Sequence, residues 1–554
     1  MILFKNSGKY LLFVMMAALI SSCSSTDKRK KKHYDTPRLV VGIVVDQMRH
    51  DYIYKYWDHY TEGGIKRLMN EGFSFDDAQY AYAPTYTGPG HASVYTGTTP
   101  ATHGIIGNNW FDKTVDASVY CAGDAHVKPV GTSDKAGMMS PHRMTVTTIA
   151  DENRLATQMR GKTIGIALKD RGAILPAGHT ANAAYWFHGM NEGRWISSSF
   201  YMDTLPQWVV NFNNSGKAES YFKPWNTLYP IETYVESGPD LNEFERGFKG
   251  KETATFPYDL QELRADNNNF ELLKAVAFGN DLTTDFAIAA IEGENLGQNE
   301  DTDFLTLSYS STDYVGHNFG VNSKEIQDTY IRLDINIAQL LQYLDENVGK
   351  NEYIVFLTAD HAAVDVPAYL NSLNIPAGYF DSKSLREGID NLLQNEYGSN
   401  DLIKNISNNQ LVFNHQLLNE MNINRDDFTQ KISDYIMEQD NIHRVYTSKQ
   451  IINGAYTKGM DALVKNGFNH KRSGDLIYVL DPSFISYSRT GSTHGSSFMY
   501  DTHVPMLFYG KGVKSGSSSR RSEIVDIAPT IAVMLGISFP SGTTGEPLYW
   551  MLDE

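Results

Sequence analysis

Four apolar, β-branched runs in this chain each end in residues that ligate metal ions or carry positive charge. Asp46 follows residues 39–45 (LVVGIVV), Lys169 and Arg171 follow 163–168 (TIGIAL), Asp313 and His317 follow 304–308 (FLTLS), and Asp360 with His361 follows 353–358 (YIVFLT). Asp and His are the ligands that hold zinc where thiolates are lacking. His317 comes four residues after Asp313, a spacing that one helical turn closes onto a single ion. Asp360 and His361 are neighbours that would point to opposite faces of a strand, so the chain must turn there for both to reach metal. His494, in Thr-Gly-Ser-Thr-His-Gly, adds an accessible imidazole in a loop of small residues. Any one of the 16 histidines taken alone reads as structural. The coincidence at four strand ends is what points to a site.

A second element carries a nucleophile. In Tyr86-Thr87-Gly88-Pro89-Gly90-His91-Ala92-Ser93 the glycines permit a sharp turn and Pro89 suits the first turn of a helix. Thr87 then stands at or before a helix N-terminus, which stabilises anions, including a phosphoryl group or a developing alkoxide. A threonine hydroxyl is a weak nucleophile and needs a metal or an adjacent base. Without the Asp and His cluster it would read as an ordinary cap.

The four runs lack alternation, as strands buried on both faces of a parallel sheet do. Between the last two, Ile326, Tyr330, Leu333, Ile337, Leu340, Leu341 and Leu344 follow 3/4 spacing, Asn322 with Glu325 resembles a capping box, and Gly349 marks the stop. Strand, helix, strand of that length is a right-handed crossover. The fold class is therefore α/β, with a central mostly parallel sheet and helices on both faces. In such sheets ligands bind outside the carboxyl ends of the strands, so the strand-end residues should converge on one crevice. Residues of about 188–265 and about 367–474 break the rhythm and read as inserted cap segments. The late runs 476–480 and 505–509 and the helix-like 527–535 are expected to return to the core pattern.

The chain has 554 residues, 41% apolar and 20% charged, with a formal net charge of −17. That is a soluble globular composition, and the acidic balance argues against nucleic-acid binding. Lys5 and Lys9 precede a ten-residue apolar run at 11–20 that suits a secretory signal and is too short to span a bilayer. Residues 1–22 are thus expected to be a lipoprotein-type signal peptide, Cys23 a lipidated first mature residue, and 23–38 a basic tether. The expected location is periplasmic or at the cell surface, held to the membrane through lipid on Cys23. With Cys23 set aside only Cys121 remains, so neither an intramolecular disulfide nor a Cys-based zinc site can form.

The ordered segments IVVDQMR, YTGPGHASVYTG, GNNW, ALKDRGAILPAGH, STDYVGH, LTADH and STHG resemble the alkaline phosphatase superfamily, most of all its PafA-type, phosphate-irrepressible members. The resemblance covers nearly the whole of 39–554 and implies an alkaline-phosphatase-like catalytic domain. It implies two zinc ions, one on Asp313, His317 and His494, the other on Asp46, Asp360, His361 and the Thr87 oxygen. Thr87 would be the nucleophile and form a phosphothreonine. Asn108 would contact one phosphoryl oxygen, and Lys169 and Arg171 the others. Superfamily members with this lysine lack the magnesium that related phosphatases hold at a third site. The implied activity is hydrolysis of small phosphate monoesters by a monomer. A phosphodiesterase or nucleotide pyrophosphatase of the same superfamily, and a noncatalytic phosphate-binding lipoprotein, are the alternatives. A sulfatase is disfavoured, because the precursor motif of its aldehyde is missing at Thr87.

Overall fold

In the computed structural model the four buried runs lie side by side, because each can satisfy its backbone only by pairing on both edges. Residues 36–553 are described, so the signal peptide, Cys23 and most of the tether fall outside the described residues. The central strands run in the order Thr163–Ala167, Asp303–Tyr309, Leu39–Val45, Tyr353–Thr358, all parallel. Every residue of the four is buried. Val44 stands opposite both Ser308 and Thr358, and Ser308 opposite Ala167, so the four carboxyl ends are level to within about one residue.

Ala183–His188 extends the parallel set on one side. Beyond it Arg194–Ser198 and Pro129–Val130 pair antiparallel. On the other side Met506–Gly510 runs antiparallel to Tyr353–Thr358 and carries Phe73–Phe75 and Gly516–Ser518 outside it, giving ten strands. The antiparallel margins were not visible as such in the sequence, since an edge strand covered by loops has the same apolar composition as a central one.

The crossover helix spans Lys324–Leu344 and passes through a π-helical turn, Asp345–Gly349, before Gly349 at φ 112° ends it. Its cap is Ser323, whose Oγ accepts from the Ile326 backbone, one residue after the expected Asn322. Asn322 instead donates to Asp365 and accepts from Lys55, so its amide is committed to tertiary bonds.

The run Leu476–Leu480 does not return to the core sheet. It is the third strand of a four-stranded antiparallel sheet, in the order Ile403–Ser407, Gln410–Phe413, Leu476–Leu480, Ile442–Thr447. Helices Ser382–Tyr397 and Arg425–Met437 cover it, and Leu385, Ile389 and Leu393 of the first join Phe428 and Ile432 of the second and Leu476 of the sheet in a core of their own. A short apolar run states that it will be buried and not in which sheet. The 506–510 strand and the Ile527–Leu535 helix do rejoin the main core. Trp225 and Tyr258, from the 188–265 stretch, pack into that same core.

Candidate active site

Because the four strands end level, the residues just beyond them meet. The Asp46, Asp360 and His361 side chains are fully buried, with ligand atoms within 4.8 Å of one another, and Asp313, His361 and His494 form a second such group. His361 Nε2 lies 3.6 Å from Asp46 Oδ1 and 3.4 Å from Asp360 Oδ2. Asp313 Oδ1 lies 3.1 Å from His317 Nε2 and 3.7 Å from His494 Nε2. Ligands about 2.1 Å from an ion stand about 3.4 Å apart in a tetrahedron, which the 3.4–3.7 Å separations match, while the 3.1 Å one also suits a hydrogen bond.

Three further observations fit metal. Asp46 Oδ1 and Asp360 Oδ2 are buried and accept no hydrogen bond. The Nδ1 atoms of His317, His361 and His494 face the backbone carbonyls of Ser492, Ala362 and Thr85 at 2.7, 3.0 and 2.7 Å, which fixes each ring and leaves Nε2 for the ion. Burial pulls His361 down, and burial with the neighbouring His361 pulls His494 down, so both imidazoles are the neutral species a metal needs. The donor set is all Asp and His, and the one described cysteine, Cys121, is buried with its thiol pushed up to about 12 by burial.

The turn that Asp360-His361 requires is present, since the strand stops at Thr358 and both side chains reach the cluster. Asp313 and His317 sit one turn apart on the helix Ser311–Phe319.

Thr87 opens the buried helix Thr87–Thr96, and its Oγ1 lies 3.5 Å from His361 Nε2, beside the Asp and His cluster. Gly90 is required there: a Cβ on it would come within 2.2 Å of the Asp360 carbonyl, so the helix could not approach the Asp360 loop. Asn108 Oδ1 accepts from the Gly88 backbone at 2.7 Å, which brings its amide to the turn that carries Thr87.

Lys169 Nζ donates to Asp46 Oδ2 at 2.7 Å and to Asp313 Oδ2 at 2.5 Å, so each carboxylate gives one oxygen to the ammonium and turns the other toward the histidines. Burial works against its charge, but Asp313 and Asp46 raise Lys169 above its ordinary range. Burial and the like charge of Asp360 push Asp46 well up, while Asp313, despite burial, is held well down by His317 and Lys169.

Lys169 and Arg171 stand where a helix starts. The strand ends at Ala167, Lys169 is the N-cap of the helix Asp170–Ala177, and Arg171 is in its first turn. Arg171 accordingly takes a different partner, donating Nη1 to the Tyr120 hydroxyl at 3.2 Å while Tyr120 donates to Asp170. Its Nε is buried without a partner.

Sequence reasoning did not single out Gln47 and His91. Gln47 donates Nε2 to Asp313 at 2.8 Å and its backbone N–H to Asp360 at 3.1 Å, from a left-handed conformation at φ 67°. His91 Nδ1 lies 3.3 Å from Asp360 Oδ2, and its Nε2 meets the Ser308 hydroxyl at 2.8 Å. Their adjacency to Asp46 and to the Thr87 turn was the available signal.

Residues 40–503 match the family model for type I phosphodiesterase / nucleotide pyrophosphatase. The chain is 45% identical over 525 residues to a Myroides odoratus protein named calcium-transporting ATPase, covering 94% of this chain and 95% of that one. It is 44% identical to alkaline phosphatase PhoV of Synechococcus elongatus, over 97% and 98% of the two chains. The crystal structure of alkaline phosphatase PafA superimposes with a TM-score of 0.90 at 40% identity, covering 94% of this chain and 99% of that one. The chain belongs to the type I phosphodiesterase / nucleotide pyrophosphatase family of the alkaline phosphatase superfamily. Within it the chain is PafA-like in sequence and in fold.

Proposed function

We propose that this protein is an exported, zinc-dependent phosphomonoesterase that works through a covalent phosphothreonine on Thr87. The observation that carries this reading is the position of Thr87 Oγ1, at a helix N-terminus and 3.5 Å from an imidazole of the Asp and His cluster. The PafA and PhoV relatives, both named alkaline phosphatases, support it.

Asp313, His317 and His494 would hold one zinc ion, and Asp46, Asp360, His361 and the Thr87 oxygen the other. Bound there, the pair would supply the positive charge that stabilises the entering and departing oxygens of an in-line displacement. Thr87 Oγ1 loses its proton and bonds to phosphorus as the ester P–O bond breaks, and the alcohol leaves carrying a proton. Water then breaks the Thr87 Oγ1–P bond, releasing phosphate and returning a proton to Thr87. Asn108 and Arg171 hold nonbridging oxygens. Lys169 has three N–H donors, two of them committed to Asp46 and Asp313, and the third is available for the phosphoryl group.

A monoester dianion carries more charge on its nonbridging oxygens than a diester does, so Arg171 and Lys169 favour monoesters. The family model's phosphodiesterase description favours the competing reading. Catalytic efficiency for a monoester and a diester with matched leaving groups, on metal-replete protein, separates them. The native enzyme is expected to prefer the monoester, and Arg171→Ala to lower monoester kcat/KM by about 10- to 100-fold, the worth of one charged hydrogen bond, with a smaller effect on the diester. A diester preference, or a monoester rate untouched by Arg171→Ala, defeats the reading. Thr87→Ala is expected to abolish the covalent intermediate and leave metal content near two per chain. Export and a lipid on Cys23 rest on residues 1–23, and mass spectrometry of the membrane-extracted protein tests them.

A further inference from the structure

Asp46, Asp360 and His361 stand close behind strand ends, and Asp313 and His317 belong to a helix. His494 has no such support: it lies within residues 486–498, which form neither helix nor strand. A ligand carried on a loop is placed accurately only if neighbouring groups fix the loop's backbone.

The backbone just beyond His494 is fixed by one side chain. Asp501 Oδ2 accepts the Gly495 N–H at 3.0 Å and the Ser496 N–H at 2.7 Å. From the other side Thr85 donates its hydroxyl to the Ser496 carbonyl at 3.1 Å, and the Thr85 carbonyl is the one that meets His494 Nδ1. Gly495, at φ 119°, permits the turn, and a Cβ there would come within 2.6 Å of the Tyr86 ring.

Asp501 is itself held from behind. It is 1% exposed and sits in the short helix Met499–Thr502. Beside it, Thr502 accepts the Tyr80 N–H and donates its hydroxyl to Gln79, both at 2.9 Å. The Asp501 carbonyl accepts the Ala362 N–H at 2.9 Å, one residue after His361. Asp501 thus reaches both histidine loops, one by its side chain and the other by its main chain. The two imidazoles stack with centroids 3.4 Å apart and planes 11° from parallel. Asp501 belongs to neither group of ligand atoms. Burying a carboxylate whose Oδ1 accepts nothing is costly. An apolar side chain would fill the space without that cost and could not hold the loop.

We propose that Asp501 is a positioning residue for the zinc site of Asp313, His317 and His494, and that it sets the affinity of that one ion by holding His494 in place. The inference rests on the two-zinc reading above. Groups that orient a ligating histidine are worth about 10- to 100-fold in metal affinity. Removing the Asp501 side chain releases Gly495 and Ser496 and leaves the main-chain bond to Ala362 intact. The ion on Asp46, Asp360 and His361 is therefore expected to be held as before.

The test titrates full-length, zinc-loaded protein with a zinc-buffering chelator and follows retained zinc and Tm beside activity. Burial pushes Asp501 up to about 7, with the Ser496 hydroxyl and the Ser496 and Gly495 N–H groups holding it down, so the titration is run at about pH 8.5, where the acid is charged. The native protein is expected to release zinc in two steps, and His494→Ala identifies the step that belongs to its site. Asp501→Ala should move that step alone, to about 10- to 100-fold higher free zinc. Asp501→Asn keeps an oxygen that can accept both N–H groups but lacks the charge, and should move it several-fold. Excess zinc should restore most of kcat in both Asp501 variants. In a His494→Ala background, adding Asp501→Ala should leave the remaining step where it is. The inference is overturned if both steps move together, which is general loosening, or if neither moves while the native protein holds two zinc ions. A native protein that holds fewer than two defeats the two-zinc reading, and this inference with it. Asp501→Asn against the native protein decides alone if Asp501→Ala fails to fold.

Discussion

The position of Lys169 accounts for several properties of the site at once. Its ammonium lies between one oxygen of Asp46 and one of Asp313, so two carboxylates that would otherwise repel are held together before any ion arrives. A cation fixed there also occupies the charge that a third divalent ion would need. Lys169→Met leaves both carboxylates buried without their counter-ion. Stability of the chelated protein is expected to fall by about 3–5 kcal/mol, and less when metal is bound. Urea unfolding with and without chelator measures the difference, and an unchanged midpoint would contradict the geometry. At this scale the sequence was most legible. Every candidate ligand from Asp46 to His494 is a residue type whose chemistry is readable without a fold, and the strand ends told where to look. What it did not disclose was orientation: Lys169 and Arg171 diverge because a helix begins between them, and Gln47 enters through a left-handed backbone that nothing in Asp-Gln-Met announces.

The Thr87 helix shows how one element is held in place by the next. His103 ends the short helix Pro100–His103, and its Nδ1 accepts the Ile105 backbone N–H at 3.1 Å. The neutral ring must then carry its proton on Nε2 and donate it to Ser93, 3.0 Å away on the Thr87 helix. Burial, with Arg472 adding repulsion, pulls His103 from 6.5 down to about 3. The folded state therefore refuses a proton that the unfolded chain takes. That stability is complete above pH 6.5 and is lost as pH falls from there toward 3, by at most on the order of 5 kcal/mol. Denaturant titrations from about pH 7 to about pH 4 are expected to show the decline, and His103→Asn to flatten it at some cost in neutral-pH stability. A variant with the native slope would remove His103 from the account. Elements of this length are legible where the period is long. The crossover helix and the four central strands came through with ends shifted by a residue or two. The cap moved from Asn322 to Ser323, and Leu476–Leu480 moved sheets, because each was decided by a partner far away in sequence.

At the scale of the whole molecule, four strands, two helix N-termini and a distant loop all end in one cluster of acids and imidazoles, so the cluster joins segments far apart in sequence. Asp46 comes from the middle of the sheet, Asp313 and His317 from the helix beyond the adjacent strand, and His494 from a segment reached only after the inserted 403–480 sheet. An ion bound there ties these segments together in the folded chain alone, and its binding free energy adds to folding stability as RT ln(1 + [L]/Kd). With free metal at about 1,000 times Kd that is about 4 kcal/mol for each site. At about 2 cal/mol/K per residue, a chain of this size has an unfolding entropy near 1 kcal/mol/K, so each site is worth about 4 °C in Tm. Stripping metal with chelator is therefore expected to abolish hydrolysis and to lower Tm by about 8 °C for two ions, and restoring zinc to recover both together. Calorimetry at one fixed scan rate, alongside an assay on the same samples, checks the coupling. A chelated protein that keeps its activity refutes the metal centre outright. One that loses activity with no change in Tm shows that Lys169 and the hydrogen-bonded histidines already hold the strand ends in place, and that the ions serve the chemistry alone.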